Sequence, residues 1–340
     1  MSRYAPYLGI LAAIAVGFVF LTSGTVDRQV DEVSPALLPP VFATTTAPNP
    51  PKPLTIVASS TKSARVVSPD TLAEAAAKLH RALVNIICYA PAKSGVHSIS
   101  GSGVIVSPTG MILTNAHVAQ YFLLADRGVS CNIRTGGPAV PTYKAGLVYL
   151  PARWVQQNAA LLTQDNPMGT GERDFALLAI TDATQAVPHV VLASATPGIN
   201  EPVAIASYGS QELSAEQIRS GFYPTIVLSA VRSIFTFGTK TPDVLAFVGT
   251  PAAQEGSSGG GVANSASELV ATITTSKIDG AVAERALSAI TASYIQREYA
   301  AETGNALKTL LARPGVTAIA DFAPQAELLR GILENAISRK

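Results

Sequence analysis

The sequence predicts an all-β domain that follows a membrane segment and an extended linker, with peripheral helices at both ends. Three observations support this class. Short runs rich in β-branched residues recur between turn signals from residue 84 onward, which is typical of a barrel or a sandwich. An apolar run, Ala5–Leu21, lies near the amino terminus, and seven prolines fall between residues 26 and 67.

Charge and composition argue against several classes of partner. The 340 residues include 24 Lys and Arg against 23 Asp and Glu, so no global field attracts nucleic acid. The two cysteines and four histidines are not spaced as metal ligands. We therefore expect no nucleic-acid partner, no metal site and no cofactor.

The first 24 residues determine the predicted compartment. Arg3 precedes the apolar run Ala5–Leu21, and the charges that follow the run are mixed. The run is near the lower length limit for a spanning helix, and the preceding cation predicts a cytoplasmic amino terminus. We expect residues 1–24 to form an uncleaved, single-pass signal anchor in a bacterial-type cell membrane, with the remaining chain extracytoplasmic. Cleavage at Ser23 or Gly24 is the alternative.

A linker and a helix start are predicted after the anchor. Residues 25–67 are rich in Pro, Thr and Ser, and such a segment stays extended because it cannot bury enough apolar surface to fold. Ser68 then provides a hydroxyl cap, Pro69 suits the first helical position, and Asp70 lies near the positive end of the helix dipole. We expect the folded domain to span residues 68–300.

Ten β-strands and two C-terminal helices are predicted in the rest of the chain. The strands are Val84–Tyr89, Gly103–Val106, Met111–Thr114, Ala145–Leu150, Phe175–Ile180, Val190–Ala193, Val203–Ala206, Thr225–Val231, Val244–Gly249 and Leu269–Thr275. Residues 301–340 are expected to form helices over Asn305–Ala312 and Pro324–Ile337.

One glycine-rich motif has the composition of a nucleophile turn. Ser258 lies in the sequence Gly-Ser-Ser-Gly-Gly, residues 256–260. Acyl transfer needs an exposed hydroxyl on a tight turn whose N–H groups face the developing oxyanion. Glycines permit such a turn because they accept unusual backbone angles. A flexible Gly/Ser loop is the alternative interpretation.

Two further motifs supply a base and an acid. His117 follows the predicted strand Met111–Thr114 and is flanked by small residues, so its ring could reach a neighbouring serine. Asp174 directly precedes the predicted strand Phe175–Ile180. A carboxylate at that position either faces water or serves a partner, and orienting the His117 ring would be such a service.

Taken together, the three motifs resemble those of the chymotrypsin/trypsin superfamily of serine peptidases, and most closely its HtrA-like bacterial branch. The chain order His, Asp, Ser is the order of that superfamily. The resemblance covers residues 84–299. The matching segments are Thr114–Val118 for the histidine box, Asp174–Leu178 for the aspartate box and Thr250–Gly260 for the nucleophile loop, where Glu255 replaces a usual proline.

The resemblance implies two six-stranded antiparallel β-barrels with the active site between them, and polypeptides as substrates. Ser258 would be the nucleophile, His117 the general base and Asp174 the acid that orients the histidine. The N–H groups of Gly256 and Ser258 would form the oxyanion hole.

The resemblance also suggests a substrate pocket, but the chain departs from the family pattern in its expected regulatory module. Thr274 and Thr275, on a strand that would pair with the substrate, are expected to line the pocket. No acid lies at an obvious pocket position, which favours a small or medium apolar side chain over Lys or Arg. The residues after Ala301 are too few for the PDZ module that HtrA-like proteases usually carry.

Ser257 departs from the digestive members of the superfamily. Those members carry an aspartate directly before the nucleophile, and this aspartate pairs with an amino terminus freed by cleavage. Ser257 carries no charge, so we expect activity without proteolytic trimming.

Cys88 and Cys131 are expected to form a disulfide, because an exported domain lies in an oxidising compartment and both residues occupy β-rich segments. Closing a loop of this length stabilises a domain by up to about 4 kcal/mol if the effect is purely chain entropy. Two separate buried thiols are the alternative.

Three alternative functions share part of this sequence pattern. The α/β-hydrolase elbow also has the form Gly-x-Ser-x-Gly, but that fold needs a histidine after the serine, and none follows Ser258. A Ser–Lys dyad with Lys277 would leave His117 and Asp174 unexplained. A protease-like fold serving as an inactive peptide-binding adaptor would show a replaced triad residue, and none is replaced.

Overall fold

The protein is described by a computed structural model over residues 55–56, 68–164, 169–211, 213–238, 240–277 and 281–339. The predicted membrane anchor, and all of the predicted linker except Thr55 and Ile56, lie outside the described residues. Within those ranges, no helix combines the length and the apolar character needed to cross a bilayer.

Fifteen strands and seven α-helices occur in the described ranges. The strands are β1 (Thr55–Ile56), β2 (Leu83–Tyr89), β3 (Ile99–Ile105), β4 (Met111–Thr114), β5 (Ser130–Thr135), β6 (Val140–Tyr143), β7 (Ala145–Tyr149), β8 (Ala176–Ile180), β9 (Pro202–Ser207), β10 (Thr225–Ala230), β11 (Ser233–Thr236), β12 (Val244–Val248), β13 (Gly261–Ala263), β14 (Leu269–Lys277) and β15 (Ala286–Thr291). The helices are α1 (Pro69–Ala82), α2 (Ala116–Ala119), α3 (Ala152–Asn158), α4 (Ala215–Ser220), α5 (Ala292–Thr303), α6 (Leu307–Leu311) and α7 (Gly315–Ile337).

The strands form two curled antiparallel sheets, which confirms the predicted all-β class with helices at both ends. The first sheet has seven strands in the order β6-β5-β2-β3-β4-β8-β7, and the second has eight in the order β1-β11-β12-β15-β14-β13-β9-β10. The prediction of six strands in each barrel is therefore wrong, because the two sheets contain seven and eight strands. Short strands at the sheet ends account for the difference, including the mostly exposed β6 and the two-residue β1, which pairs with β11.

Helix α1 begins where the sequence places it. The Ser68 hydroxyl accepts a hydrogen bond from the Asp70 N–H, and Pro69 occupies the first turn. Leu79 on this helix is fully buried in a core that contains residues of both sheets, such as Leu113 of β4 and Ala206 of β9. The apolar stripe of α1 thus helps to join the two sheets.

The C-terminal helices differ from their predicted bounds. Helix α7 begins at Gly315 and continues through Pro324, where the sequence predicts a start. A Cβ on Gly315 would lie 3.0 Å from the Ala179 side chain, so the helix packs closely on the first sheet. Leu329 and Leu333 are buried in the core of that sheet. This packing compensates for the backbone hydrogen bond that proline removes.

One predicted strand is missing and the predicted disulfide is present. Val190–Ala193 makes only an isolated bridge, between Leu192 and Leu269. Cys88 and Cys131 face each other on β2 and β5 and are joined by a 2.06 Å S–S bond. The disulfide cross-links the first sheet near its β6 end.

Candidate active site

His117 lies in the short helix α2, directly after strand β4. Its ring Nδ1 is 2.7 Å from Asp174 Oδ2, and its backbone N–H donates to Asp174 Oδ1 at 3.0 Å. The side chain of His117 is 35% exposed, against 7% for Asp174. The histidine is therefore accessible to a substrate while its acidic partner is enclosed.

Several neighbours fix Asp174 in this position. The Thr274 hydroxyl donates to Oδ2 at 2.9 Å, and Asn115 Nδ2 donates to the Asp174 carbonyl at 2.7 Å. The preceding residue, Arg173, has a φ of 56°, and its N–H donates to the Tyr294 hydroxyl at 3.0 Å. A buried carboxylate needs such partners to remain charged.

The Asp174 carboxylate changes the basicity of His117. Burial lowers the pKa of the ring, but the negative charge and hydrogen bond of Asp174 outweigh that effect and raise the pKa of His117 above its ordinary value. The aspartate therefore favours the imidazolium form. A histidine tuned in this way is a stronger proton acceptor than a free imidazole.

The predicted nucleophile lies on a tight turn between β12 and β13. Gly256 and Gly259 have φ values of 81° and 86°, a region that side chains rarely tolerate. The Gly260 N–H donates to the Ser257 carbonyl at 2.9 Å and closes the turn. Ser258 is half-buried at its tip. Two glycines thus have a conformational function here, as the motif predicted.

Two N–H groups of this turn have no acceptor among the described residues. Neither the Gly256 N–H nor the Ser258 N–H donates to an acceptor within the described ranges, whereas the N–H groups of Ser257, Gly259 and Gly260 are all bonded. A buried or half-buried donor usually finds a partner. Unused donors beside a half-buried serine have the chemistry of an oxyanion hole.

Ser257 is held by neutral groups. Its hydroxyl donates to the Ala252 carbonyl at 2.6 Å and accepts from the Ser207 hydroxyl at 3.2 Å. The side chain is fully buried. No charged group lies among these partners, so the residue before Ser258 is satisfied without an ion pair.

The nucleophile turn meets the first sheet close to His117. The Ser102 N–H of β3 donates to the Ser258 carbonyl at 2.7 Å. A Cβ on Gly259 would lie 2.5 Å from the hydroxyl of Thr114, three residues before His117. No hydrogen bond joins the Ser258 hydroxyl to the His117 ring in the described part of the chain; such bonds often tighten only when substrate binds.

The two predicted pocket residues lie on β14. Thr274 is buried, and its hydroxyl is bonded to Asp174. This contact was not foreseen, because nothing local in the sequence links residues that lie 100 positions apart. Thr275 pairs with Ser288 of β15. The pocket role of both threonines stays a prediction.

Ser102 is the other site residue that the sequence did not reveal. It lies between two glycines in β3 and carries no motif of its own. The described residues contain no cluster of three or more His, Cys, Asp or Glu side chains that could hold a metal ion.

Comparisons with known proteins connect this geometry to a family. Residues 101–271 match the family model described as a trypsin-like peptidase domain. The comparison with curated proteins found no match.

Solved structures of one protease resemble the chain at low identity. The active form of the Rv3671c protease from M. tuberculosis is 18% identical, with a TM-score of 0.46 over 76% of this chain and 94% of that one. Its inactive form is 17% identical, with a TM-score of 0.45 over 71% of this chain and 98% of that one.

Proposed function

This chain belongs to the trypsin-like peptidase family and is a serine endopeptidase, and we propose that it cleaves polypeptides with His117, Asp174 and Ser258 as its triad. The observation that carries the residue assignment is the 2.7 Å contact between His117 Nδ1 and Asp174 Oδ2. It is supported by the N–H groups of Gly256 and of Ser258 itself, which have no acceptor in the part of the chain that the structure describes.

The proposed reaction begins when Ser258 Oγ attacks the scissile carbonyl carbon while His117 Nε2 accepts the hydroxyl proton. The carbonyl oxygen becomes an oxyanion, which accepts hydrogen bonds from the Gly256 and Ser258 N–H groups. The C–N bond then breaks as His117 protonates the leaving amine. Water, deprotonated by the same histidine, then attacks the acyl carbonyl carbon, and His117 returns the proton to Ser258 Oγ as the ester bond breaks. Asp174 keeps the proton on Nδ1 and stabilises the imidazolium that forms in each half-reaction.

Labelling with a fluorophosphonate probe tests the assignment, because the probe reacts with an activated serine. We expect the wild-type protein to be labelled and to hydrolyse peptides, and Ser258→Ala and His117→Ala to lose both properties. The double variant should be little worse than either single one, because triad members act as a unit.

Ser220→Ala and His189→Ala are the matched controls. Ser220 is exposed on α4, and the His189 ring Nδ1 lies 3.0 Å from the Val187 carbonyl oxygen. Undiminished turnover in Ser258→Ala would refute the triad. An unlabelled but folded wild-type protein would instead favour the inactive peptide-binding adaptor.

We further propose that residues 1–24 anchor the protein in a cell membrane with its catalytic domain extracytoplasmic. The apolar run Ala5–Leu21 after Arg3 supports the anchor. The Cys88–Cys131 disulfide supports an oxidising compartment.

Fractionation tests the anchor. The full chain should resist extraction from membranes by alkaline carbonate, and a chain beginning at Val26 should be soluble. Protease added to intact cells or spheroplasts should reach the domain only if it is extracytoplasmic. Extraction of the full chain by carbonate would contradict the anchor, and protection from added protease would contradict the orientation.

The neutral partners of Ser257 support activity without proteolytic activation. A chain that begins at Ser68 with additional residues in front should react with the fluorophosphonate probe as purified, or once a peptide substrate is added. Labelling that appears only after a defined cleavage near Val84 would contradict this proposal.

A further inference from the structure

Ser102 connects the two sheets at the nucleophile turn. It belongs to β3 of the first sheet and is fully buried. Its hydroxyl, however, bonds two groups on the side of the second sheet: it donates to the Gly256 carbonyl and accepts from the Tyr208 N–H, both at 2.8 Å. The Ser102 hydroxyl therefore donates one hydrogen bond and accepts another, and both partners are main-chain groups more than 100 residues away in the sequence.

The main chain of Ser102 adds two more bonds at the same place. Its N–H donates to the Ser258 carbonyl at 2.7 Å, and its carbonyl accepts from the Thr114 hydroxyl at 2.7 Å. Ser102 thus fixes the carbonyl of Gly256 and the carbonyl of Ser258. In the chain, these two carbonyls lie on either side of the peptide group between Ser257 and Ser258. That peptide group carries the Ser258 N–H, one of the two predicted to bind the oxyanion.

The nucleophile turn packs so closely on its neighbours that a side chain at Gly256 or Gly259 would collide with them. A Cβ on Gly259 would lie 2.0 Å from the Ser102 carbonyl oxygen, so the turn packs directly against β3. A Cβ on Gly256 would lie 2.6 Å from the Tyr208 carbonyl oxygen. Without the Ser102 hydroxyl, the Gly256 carbonyl would lose the bond that fixes the peptide plane between Gly256 and Ser257.

We propose that Ser102 is a positioning residue whose hydroxyl holds the nucleophile turn with the Gly256 and Ser258 N–H groups directed at the oxyanion. The proposal rests on the function proposed above. Ser102 touches no reacting atom and acts through the turn. Its contribution is therefore made in the transition state, when negative charge develops on the carbonyl oxygen, rather than in substrate binding.

Ser102→Ala tests the proposal. Loss of a whole oxyanion donor costs about 10²–10³ in kcat, and a donor that is retained but poorly oriented should cost less, so we expect kcat to fall by roughly 10- to 30-fold with KM within about twofold. A peptide aldehyde, which forms an oxyanion-bearing adduct with Ser258, should bind more weakly by about the same factor as the loss in kcat.

A binding measurement separates positioning from a general structural defect. The affinity of a fluorogenic peptide that the wild-type enzyme cleaves is measured with Ser258→Ala and with Ser258→Ala/Ser102→Ala. Equal affinities are expected. Unchanged kcat in Ser102→Ala, or a loss of peptide affinity as large as the loss of activity, would overturn the proposal.

Ser100→Ala is the matched control, because Ser100 lies two positions earlier in β3 and its hydroxyl accepts from Asn85 Nδ2. It should keep wild-type kcat. If Ser102→Ala does not fold, as judged by its melting temperature, Ser102→Cys keeps the shape with a weaker donor and should show the same pattern with a smaller loss. A Ser102→Cys enzyme with full kcat would also overturn the proposal. Failure of the triad itself would be recognised separately, by full activity in Ser258→Ala.

Discussion

The two halves of the site are held together by different forces. Around His117 the organisation is electrostatic: Asp174 bonds the histidine twice, and the neighbouring Arg173 pairs with Glu172 and Glu298. Around Ser258 the contacts are neutral. Hydroxyl and carbonyl groups bond each other, and glycines supply backbone angles that other residues resist.

The difference separates two tasks. The base must change its charge during the reaction, so its neighbours set a pKa and tolerate the imidazolium form. The nucleophile turn must present its N–H groups in one orientation. Its neighbours therefore exclude other backbone conformations of the turn, through close packing and hydrogen bonds. Charge substitutions should therefore alter the pH profile of the enzyme, whereas substitutions in the turn should lower the rate at every pH.

Asp174→Asn should have the largest effect. The amide no longer holds His117 in the required tautomer, and we expect kcat to fall by about 10⁴-fold. Asp174 raises the pKa of His117, and the histidine acts as a base only when neutral. Loss of the carboxylate should therefore move the acid limb of kcat/KM to lower pH.

The control for this variant is Asp243→Asn, which removes another buried carboxylate, paired with Arg297. It should lower stability without moving the acid limb. An acid limb in Asp174→Asn at the wild-type pH would contradict the electrostatic account.

Gly259→Ala should have the second-largest effect on catalysis. The added Cβ would meet the Ser102 carbonyl at 2.0 Å, so the turn must shift, and we expect kcat/KM to fall by at least about 100-fold with no change in the shape of its pH profile. Gly304→Ala is the matched control, since Gly304 has a φ of 72° but no atom within 4 Å of its added Cβ. That variant should cost only about 1 kcal/mol of stability. Similar kinetic losses in both would refute the steric account.

Thr274→Val removes one donor from the Asp174 carboxylate while keeping the shape of the side chain. A hydrogen bond to a charged group contributes about 1.5–3 kcal/mol, and the lower end of that range corresponds to a fall in kcat/KM of at least about tenfold. Thr272→Val is an internal control on the same strand, because the buried Thr272 hydroxyl has no partner among the described residues. It should retain full activity. Equal losses in the two variants would mean that β14 is merely sensitive to substitution.

Glu298→Gln should have the smallest effect. The carboxylate of Glu298 lies 3.1 Å from Arg173 Nε, and both side chains are partly exposed. Such pairs contribute about 0.2–1 kcal/mol, so we expect a loss in kcat/KM of about twofold that disappears at high salt. Glu216→Gln, in the exposed pair with Arg219 on α4, should show no loss. A tenfold loss in Glu298→Gln would place the Arg173 contact within the essential support of Asp174.

Local patterns predicted much of the fold. The Ser68 cap, strand Met111–Thr114 and the runs at Val203–Ala206 and Val244–Gly249 were recognisable because β-branched or capping residues coincide with turn signals. Strand β6 was missed because Pro141 and its exposed neighbours resemble a loop. Strand β13 has only three residues, one of them glycine.

Long-range packing accounts for most of what the sequence did not reveal. Helix α7 passes through Pro324 because its apolar face packs on the first sheet, a gain that no local propensity contains. The same holds within the site. The residues of the proposed triad stand out by their local motifs, whereas the hydroxyls of Ser102 and Thr274 bond partners 100 or more positions away.

The neutral environment of Ser257 also bears on how the enzyme behaves in alkaline solution. An ion pair with a free amino terminus weakens near pH 8, where an α-amino group loses its proton. The hydroxyl and carbonyl partners of Ser257 do not titrate there, and burial raises the pKa of the nearby Tyr208 to about 12. Once His117 is neutral, the rate should therefore remain level across the mildly alkaline range, with no descending limb from a dissolving ion pair.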